Sequence, residues 1–354
     1  MKNHLVRKLA KGVLLAIPPF RAFHQSLMDE LDQYRVEWSA CRDELVRRQA
    51  ELAGCRAEVV GCQAEAAALR SLYNHPEFVR AMDAIVERRV IITDYACDPE
   101  SRDLPAAPGW ARLLAELQGR DEAYRDVVTD FVKLLGAGNA IPYETTSDTQ
   151  AHQAAWNNSW TPPVDGMAIY GMLARHNPAR FVEVGSGTST MFARQAIRDH
   201  GLRTRIVSID PYPRADIDVI CDEVIRSRFE KVPADFFAAL TAEDLLYIDN
   251  SHYSFPGSDV TVFFTELLDV LPSGMIYGLH DIFIPYDYPP SWVGRCYNEQ
   301  YLLAAYLLGG ARGDQVVFPA HYVSMQPHLV SGFEPIWPRE RGPLHGGSFW
   351  MRRA

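Results

Sequence analysis

From Leu27 onward, apolar side chains recur in alternate steps of four and three: Leu31, Tyr34, Trp38, Cys41, Leu45, then Leu52, Cys55, Val59, Cys62, Ala66, Leu69 and Tyr73. Arg48 is the one interruption. A period of 3.5 with Glu, Arg and Gln on the flanks predicts a coiled coil over residues 25–74 rather than a helix lying on a globular core. Residues 1–24 are basic and apolar, Lys2, Arg7, Lys8 and Lys11 leading into Val13–Ile17. That run is too short to span a bilayer and has no small-residue cleavage site. It reads as the frayed start of the next helix, or as a segment resting on an anionic membrane surface. Residues 75–155 predict a helical connector, amphipathic at Phe78–Arg88, Trp110–Leu117 and Tyr124–Leu135.

Over residues 156–354 the period changes again, and short β-branched runs alternate with helical patterns. Strands are expected at Phe181–Val184, Arg205–Ile209, Glu223–Arg226, Leu245–Ile248 and Met275–Leu279. Helices are expected at Val164–Arg175, Thr188–His200, Ala234–Leu240, Val260–Val270 and Glu299–Leu308. Such alternation predicts an α/β, Rossmann-like doubly wound parallel sheet. Gln315–Pro319 and Ser348–Arg352 have no long helix between them, which predicts an antiparallel C-terminal hairpin at one sheet edge.

Composition narrows the partners. The chain has 354 residues, 47% hydrophobic and 23% charged, enough for one full-sized core and an appendage. A net charge of −10 with no long Lys or Arg run excludes a nucleic-acid footprint. Cys41, Cys55, Cys62, Cys97, Cys221 and Cys296 form no CxxC pair, which predicts a reducing, cytoplasmic setting without structural zinc. The heptad seam predicts a homo-oligomer.

The run Phe181-Val182-Glu183-Val184-Gly185-Ser186-Gly187-Thr188-Ser189-Thr190 is a strand entering a glycine-rich turn and then a helix. Glycines at a strand's carboxyl end let a cofactor approach the backbone. A dinucleotide fingerprint needs a third glycine where Thr190 stands, so nicotinamide binding fits poorly. The second strand ends in Ile209-Asp210-Pro211, where a carboxylate can accept hydrogen bonds from both hydroxyls of a ribose, or can simply form a turn before proline. The fourth and fifth strands lead into Asp249-Asn250-Ser251-His252 and His280-Asp281. In a parallel sheet these ends open on the same rim, so Asp249, His280 and Asp281 can converge on a divalent ion such as Mg²⁺. His252 stands three residues past Asp249, where it can reach a substrate hydroxyl.

The ExGxGxS pattern resembles the first motif of class I methyltransferases, with Ser189 in place of the last glycine. The acids after strands four and five further resemble the metal-dependent O-methyltransferases, including the catechol type and relatives acting on sugars of natural products. The resemblance implies S-adenosylmethionine held by Glu183, Gly185, Ser186, Gly187, Ser189, Asp210 and Asp249. It also implies Mg²⁺ on Asp249, His280 and Asp281, with His252 as the base. His280 departs from the family's usual Asp, Glu or Asn and admits Mn²⁺ or a metal-free variant. The acceptor it implies is a small-molecule hydroxyl, best a saccharide or glycosylated natural product. Tyr286, Tyr288 and Trp292 on one side, and Trp156 to Trp160 on the other, read either as substrate walls or as hydrophobic cover. Two other readings stand beside this one: a cofactor-binding oligomerisation module without turnover, and a hydroxylase-like relative in which His252, His280 and Asp281 imitate an iron triad.

Overall fold

Strands covered on both faces must be apolar along their whole length, and the central ones here are. β1 (Arg180–Val184) and β2 (Arg205–Ile209) bury every residue but the first, while β4 (Leu245–Ile248) and β5 (Ile276–Leu279) bury all of theirs. With β3 (Glu223–Ile225), β6 (Gln315–Pro319) and β7 (Phe349–Arg352) they make one seven-stranded sheet of order β3-β2-β1-β4-β5-β7-β6. β1 to β5 run parallel, and β7 inserts antiparallel between β5 and β6. The computed structural model describes residues 30–39, 79–80, 83, 94–95, 98–136, 141–145, 152–213 and 216–354. The chain divides into two units, Met1–Pro99 and Glu100–Ala354.

In the first unit, residues 30–39 are helical, and Tyr34 and Trp38 of the heptad seam are 57% and 58% exposed. The rest of the expected coiled coil lies outside the described residues. Among the described residues no helix is long and apolar enough to cross a membrane.

In the second unit, α1 (Pro108–Gln118) and α2 (Asp121–Leu135) contribute Leu113, Leu117, Tyr124, Val127, Val128, Phe131 and Leu135 to the same core as the sheet. α3 (Pro163–His176) is buried from Pro163 to Leu173 on every face. A helix apolar all round needs cover on all sides, and α2 and α4 (Thr188–His200) both pack against it. A Cβ at Gly171 would lie 2.1 Å from the Phe131 ring, so only glycine permits this approach of α2 to α3. α4 stops where Gly201 takes a left-handed conformation, φ 59°.

The helix expected over Val260–Val270 is broken up. An α-turn, Asp259–Val262, passes into a π turn, Phe263–Leu267, and a 3₁₀ turn, Leu268–Val270. Consecutive β-branched and aromatic residues are poor helix formers, and the wider turn buries both Phe263 and Leu267.

At the amino ends of β1 and β4, Arg180 forks onto Asp244 at 3.0 and 2.6 Å. Burial pushes the Asp244 carboxyl up, but the Arg180 guanidinium and the Thr241 amide more than reverse this, leaving it below the ordinary carboxylate value. A depressed folded pKa contributes stability that is present above about pH 4 and lost as pH falls through the lower folded value. Asp244→Asn is therefore expected to cost about 2 kcal/mol at pH 7, discounted because Arg180 is partly exposed, and to flatten the acid limb of the stability curve. Urea melts from pH 2 to 7 measure both.

Candidate active site

Four neighbouring strands hand one residue each to the carboxyl rim, and the backbone ladder continues through them. The N–H of Gly185 donates to Ile209 O (3.1 Å), that of Asp210 to Ile225 O (3.2 Å), that of Asp249 to Val184 O (2.8 Å) and that of His280 to Ile248 O (2.9 Å). These residues are thus fixed as firmly as the sheet itself.

The glycine turn is fixed by both its neighbours. Gly185 has φ 75°, and a Cβ there would sit 1.8 Å from the Asp249 carbonyl oxygen. The Asp210 carboxylate accepts the Ser186 N–H at 3.0 Å and the Tyr212 N–H at 2.7 Å, so one acid ties the turn to the end of β2. Ser186 and Ser208 share a hydroxyl hydrogen bond of 2.7 Å. Below the turn, the Thr190 hydroxyl accepts the Gly187 N–H and donates to Glu183, which is fully buried. Glu183 Oε1 has no hydrogen-bond partner, and burial pushes the carboxyl up to about 8 despite the hydroxyls beside it. A Cβ at Gly187 would meet nothing within 4 Å, so the turn faces open space at the rim.

Beside it lies a cluster of acids and imidazoles. One ligand atom each of Asp249, His280 and Asp281 lies within 4.8 Å of the others. His252 Nε2 stands 3.3 Å from both Asp249 Oδ1 and Asp281 Oδ2. Its Nδ1 is 2.9 Å from Glu299 Oε2, and Asn250 donates to the other Glu299 oxygen at 3.1 Å. Burial disfavours the charged ring, but Asp249, Glu299 and Asp281 outweigh it and push His252 up to about 10. His252 and Asp281 both hold left-handed backbone, φ 61° and 55°, strain of the kind that collects at functional sites. The Asn250 side chain accepts the His252 N–H at 2.9 Å and closes the turn that carries it. His280 is 5% exposed, and neither ring nitrogen has a hydrogen-bond partner.

Residues 182–282, β1 through the His280-Asp281 pair, match the family model described as a methyltransferase domain. Residues 182–282 form a methyltransferase domain. No curated protein is significantly similar to it in sequence. Among solved structures, a methyltransferase of Podospora anserina bound to SAH aligns at 15% identity and TM-score 0.34, covering 53% of this chain and 77% of that one. The O-methyltransferase TomG of Streptomyces achromogenes, solved with SAM, aligns at 11% identity and TM-score 0.28, over 53% and 79%. An O-methyltransferase of Bacillus cereus with SAH aligns at 10% and 0.31, over 64% and 91%.

Around this methyltransferase rim the aromatic segments divide. Tyr288 is buried between Phe283, Tyr297 and Tyr301, its hydroxyl accepting the Gln300 N–H, so it is packing. Tyr297 packs tilted against the His252 ring, centroids 4.7 Å apart, and stays partly exposed, as does Trp292, over which Arg295 lies at 3.9 Å. Trp156 is 2% exposed between Phe192 and Trp337 and belongs to the core, whereas Trp160 is 60% exposed. Two acids that the sequence did not single out prove central. Glu299, in the first turn of α5 (Glu299–Leu308), faces His252, and Asp165, in the first turn of α3, faces His280. Acids in a first helical turn are common for reasons of the helix dipole alone, so neither carried a signal. A surface cavity of about 520 Å³ between α1 and α5 is lined by Arg112, Glu116, Leu117 and Leu308 and includes none of these groups.

Proposed function

We propose that the domain transfers a methyl group from S-adenosylmethionine to a hydroxyl of a small molecule, with a divalent cation on Asp249, His280 and Asp281. The observation that carries this is the juxtaposition at one rim of a glycine turn, a ribose-type acid and an imidazole–carboxylate cluster. Asp210 retains lone pairs beyond its two backbone hydrogen bonds and suits ribose hydroxyls. Glu183, with its unpartnered buried oxygen, suits a cationic group of the cofactor such as its ammonium. Ser186 and Ser189 line the same turn, and Asp249 borders it through Gly185.

S-adenosylmethionine supplies the methyl carbon as a sulfonium, and a cation on the three ligands would lower the acceptor hydroxyl's pKa. The protein's own work is orientation and proton transfer. Glu299 accepts the Nδ1–H of His252, and a cation on Asp249 and Asp281 would offset the acids that hold the ring charged, freeing Nε2 to accept the hydroxyl proton. Tyr297 offers a partly exposed ring beside His252, with Trp292 beside Tyr297 in turn, which suits a saccharide or glycosylated natural product. The proposed dimer or higher oligomer rests on the heptads of residues 25–74, and sedimentation of the full chain tests it.

Incubation with S-adenosylmethionine and panels of hydroxylated acceptors is expected to add one methyl group to a saccharide-bearing compound, read by mass spectrometry. Gain of one oxygen atom instead would favour the hydroxylase reading.

A further inference from the structure

His280 stands between two sets of acids. Its Nδ1 lies 3.3 Å from Asp249 Oδ1 and 3.5 Å from Asp281 Oδ1, while its Nε2 lies 3.5 Å from Asp165 Oδ2. The ring is 5% exposed and both nitrogens lack a hydrogen-bond partner, although buried polar atoms rarely go without one. Asp165 is wholly buried, and its two oxygens accept the Gly347 N–H at 2.8 Å and the Ser348 N–H at 2.7 Å. Those bonds anchor the carboxylate between α3 and the start of β7, so it cannot turn to another partner. The nearest basic group to its charge is the far nitrogen of His280.

We propose, resting on the metal reading above, that Asp165 polarises His280 through Nε2 so that Nδ1 is a strong nitrogen ligand, and that the centre therefore selects a first-row transition ion such as Mn²⁺ over Mg²⁺. Metal-bound imidazoles regularly give their other N–H to a carboxylate, which fixes the ring and raises its basicity. Mg²⁺ prefers an all-oxygen octahedron and dehydrates reluctantly, whereas first-row transition ions accept an imidazole nitrogen, Mn²⁺ less strongly than the later ones but better than Mg²⁺. With Asp249 and Asp281 supplying oxygen and His280 nitrogen, the donor set is mixed, and Asp165 is a positioning residue outside it.

The test uses the full chain stripped with chelator, with MnCl₂ or MgCl₂ alone as probe. One Mn²⁺ per chain is expected, bound at least tenfold more tightly than Mg²⁺, and pulsed electron paramagnetic resonance of the Mn²⁺ protein should show coupling to an imidazole ¹⁴N. His280→Asp should remove that coupling and bring the two affinities toward parity, while His252→Ala should retain it. Asp165→Asn should weaken Mn²⁺ binding by about ten- to a hundredfold. Because that variant loosens the Gly347 and Ser348 contacts, circular dichroism is recorded first. If it is unfolded, the parent and His280→Asp decide. Equal or tighter Mg²⁺ binding, no ¹⁴N coupling in the parent, or coupling that survives His280→Asp would overturn the inference. Titration of S-adenosylmethionine into the same samples is independent of these results, so failure of the methyltransferase reading would show there and not in the metal data.

Discussion

Gly185→Ala is expected to weaken S-adenosylmethionine binding at least a hundredfold while the protein remains folded. Two effects act together. An L-residue at φ 75° costs about 1–2 kcal/mol in the left-handed region. The larger effect is contact: the new Cβ would lie 1.8 Å from the Asp249 carbonyl oxygen, a backbone atom held by the β1–β4 ladder. The strand cannot yield cheaply, so the turn must move, and Ser186 leaves its hydrogen bond to Asp210. The cofactor turn and its acid are lost at once. Calorimetric titration with circular dichroism as a fold control measures the effect. Parental affinity in this variant would remove the glycine turn from the binding site.

His252→Ala is expected to lower turnover by on the order of a hundredfold or more, the range for a general base, with S-adenosylmethionine affinity unchanged. Glu299→Gln should give a smaller loss, because glutamine still accepts from Nδ1 through its carbonyl oxygen but no longer balances the charge on the imidazolium. The two act on one proton, so the double variant should resemble His252→Ala alone rather than the product of the two losses. Release of S-adenosylhomocysteine with a methylatable acceptor gives the rates. An unchanged rate for His252→Ala would discard it as the base.

What was legible in the chain was what periodicity and local chemistry encode. All seven strands of the sheet and the bounds of Thr188–His200 and Glu299–Leu308 follow from apolar runs and from the glycines that stop them. The convergence of Asp249, His280 and Asp281 follows from parallel strands alone, since the residue after each strand must emerge on one rim. The partners of the two histidines were not legible. Glu299 lies 47 residues from His252, and Asp165 lies 183 from Ser348, whose amide it holds. Only tertiary packing pairs them. The same applies to Tyr288 and Trp156, whose rings the sequence offered equally as substrate walls or cover. Packing with Phe283 and Tyr297, and with Phe192 and Trp337, makes them cover. The broken helix over Asp259–Val270 reflects competition between helical hydrogen bonds and burial of Phe263, which a periodic reading does not weigh.

The central claim is that the rim holds S-adenosylmethionine through the glycine turn and Asp210. Its most direct measurement is calorimetric titration of the cofactor into the parent chain and into Asp210→Ala. One site per chain is expected in the parent, weakened in the variant by about 1.5–3 kcal/mol as the ribose acceptor and the support of Ser186 are lost together. No binding to the folded parent, or equal affinity in the two proteins, would contradict it.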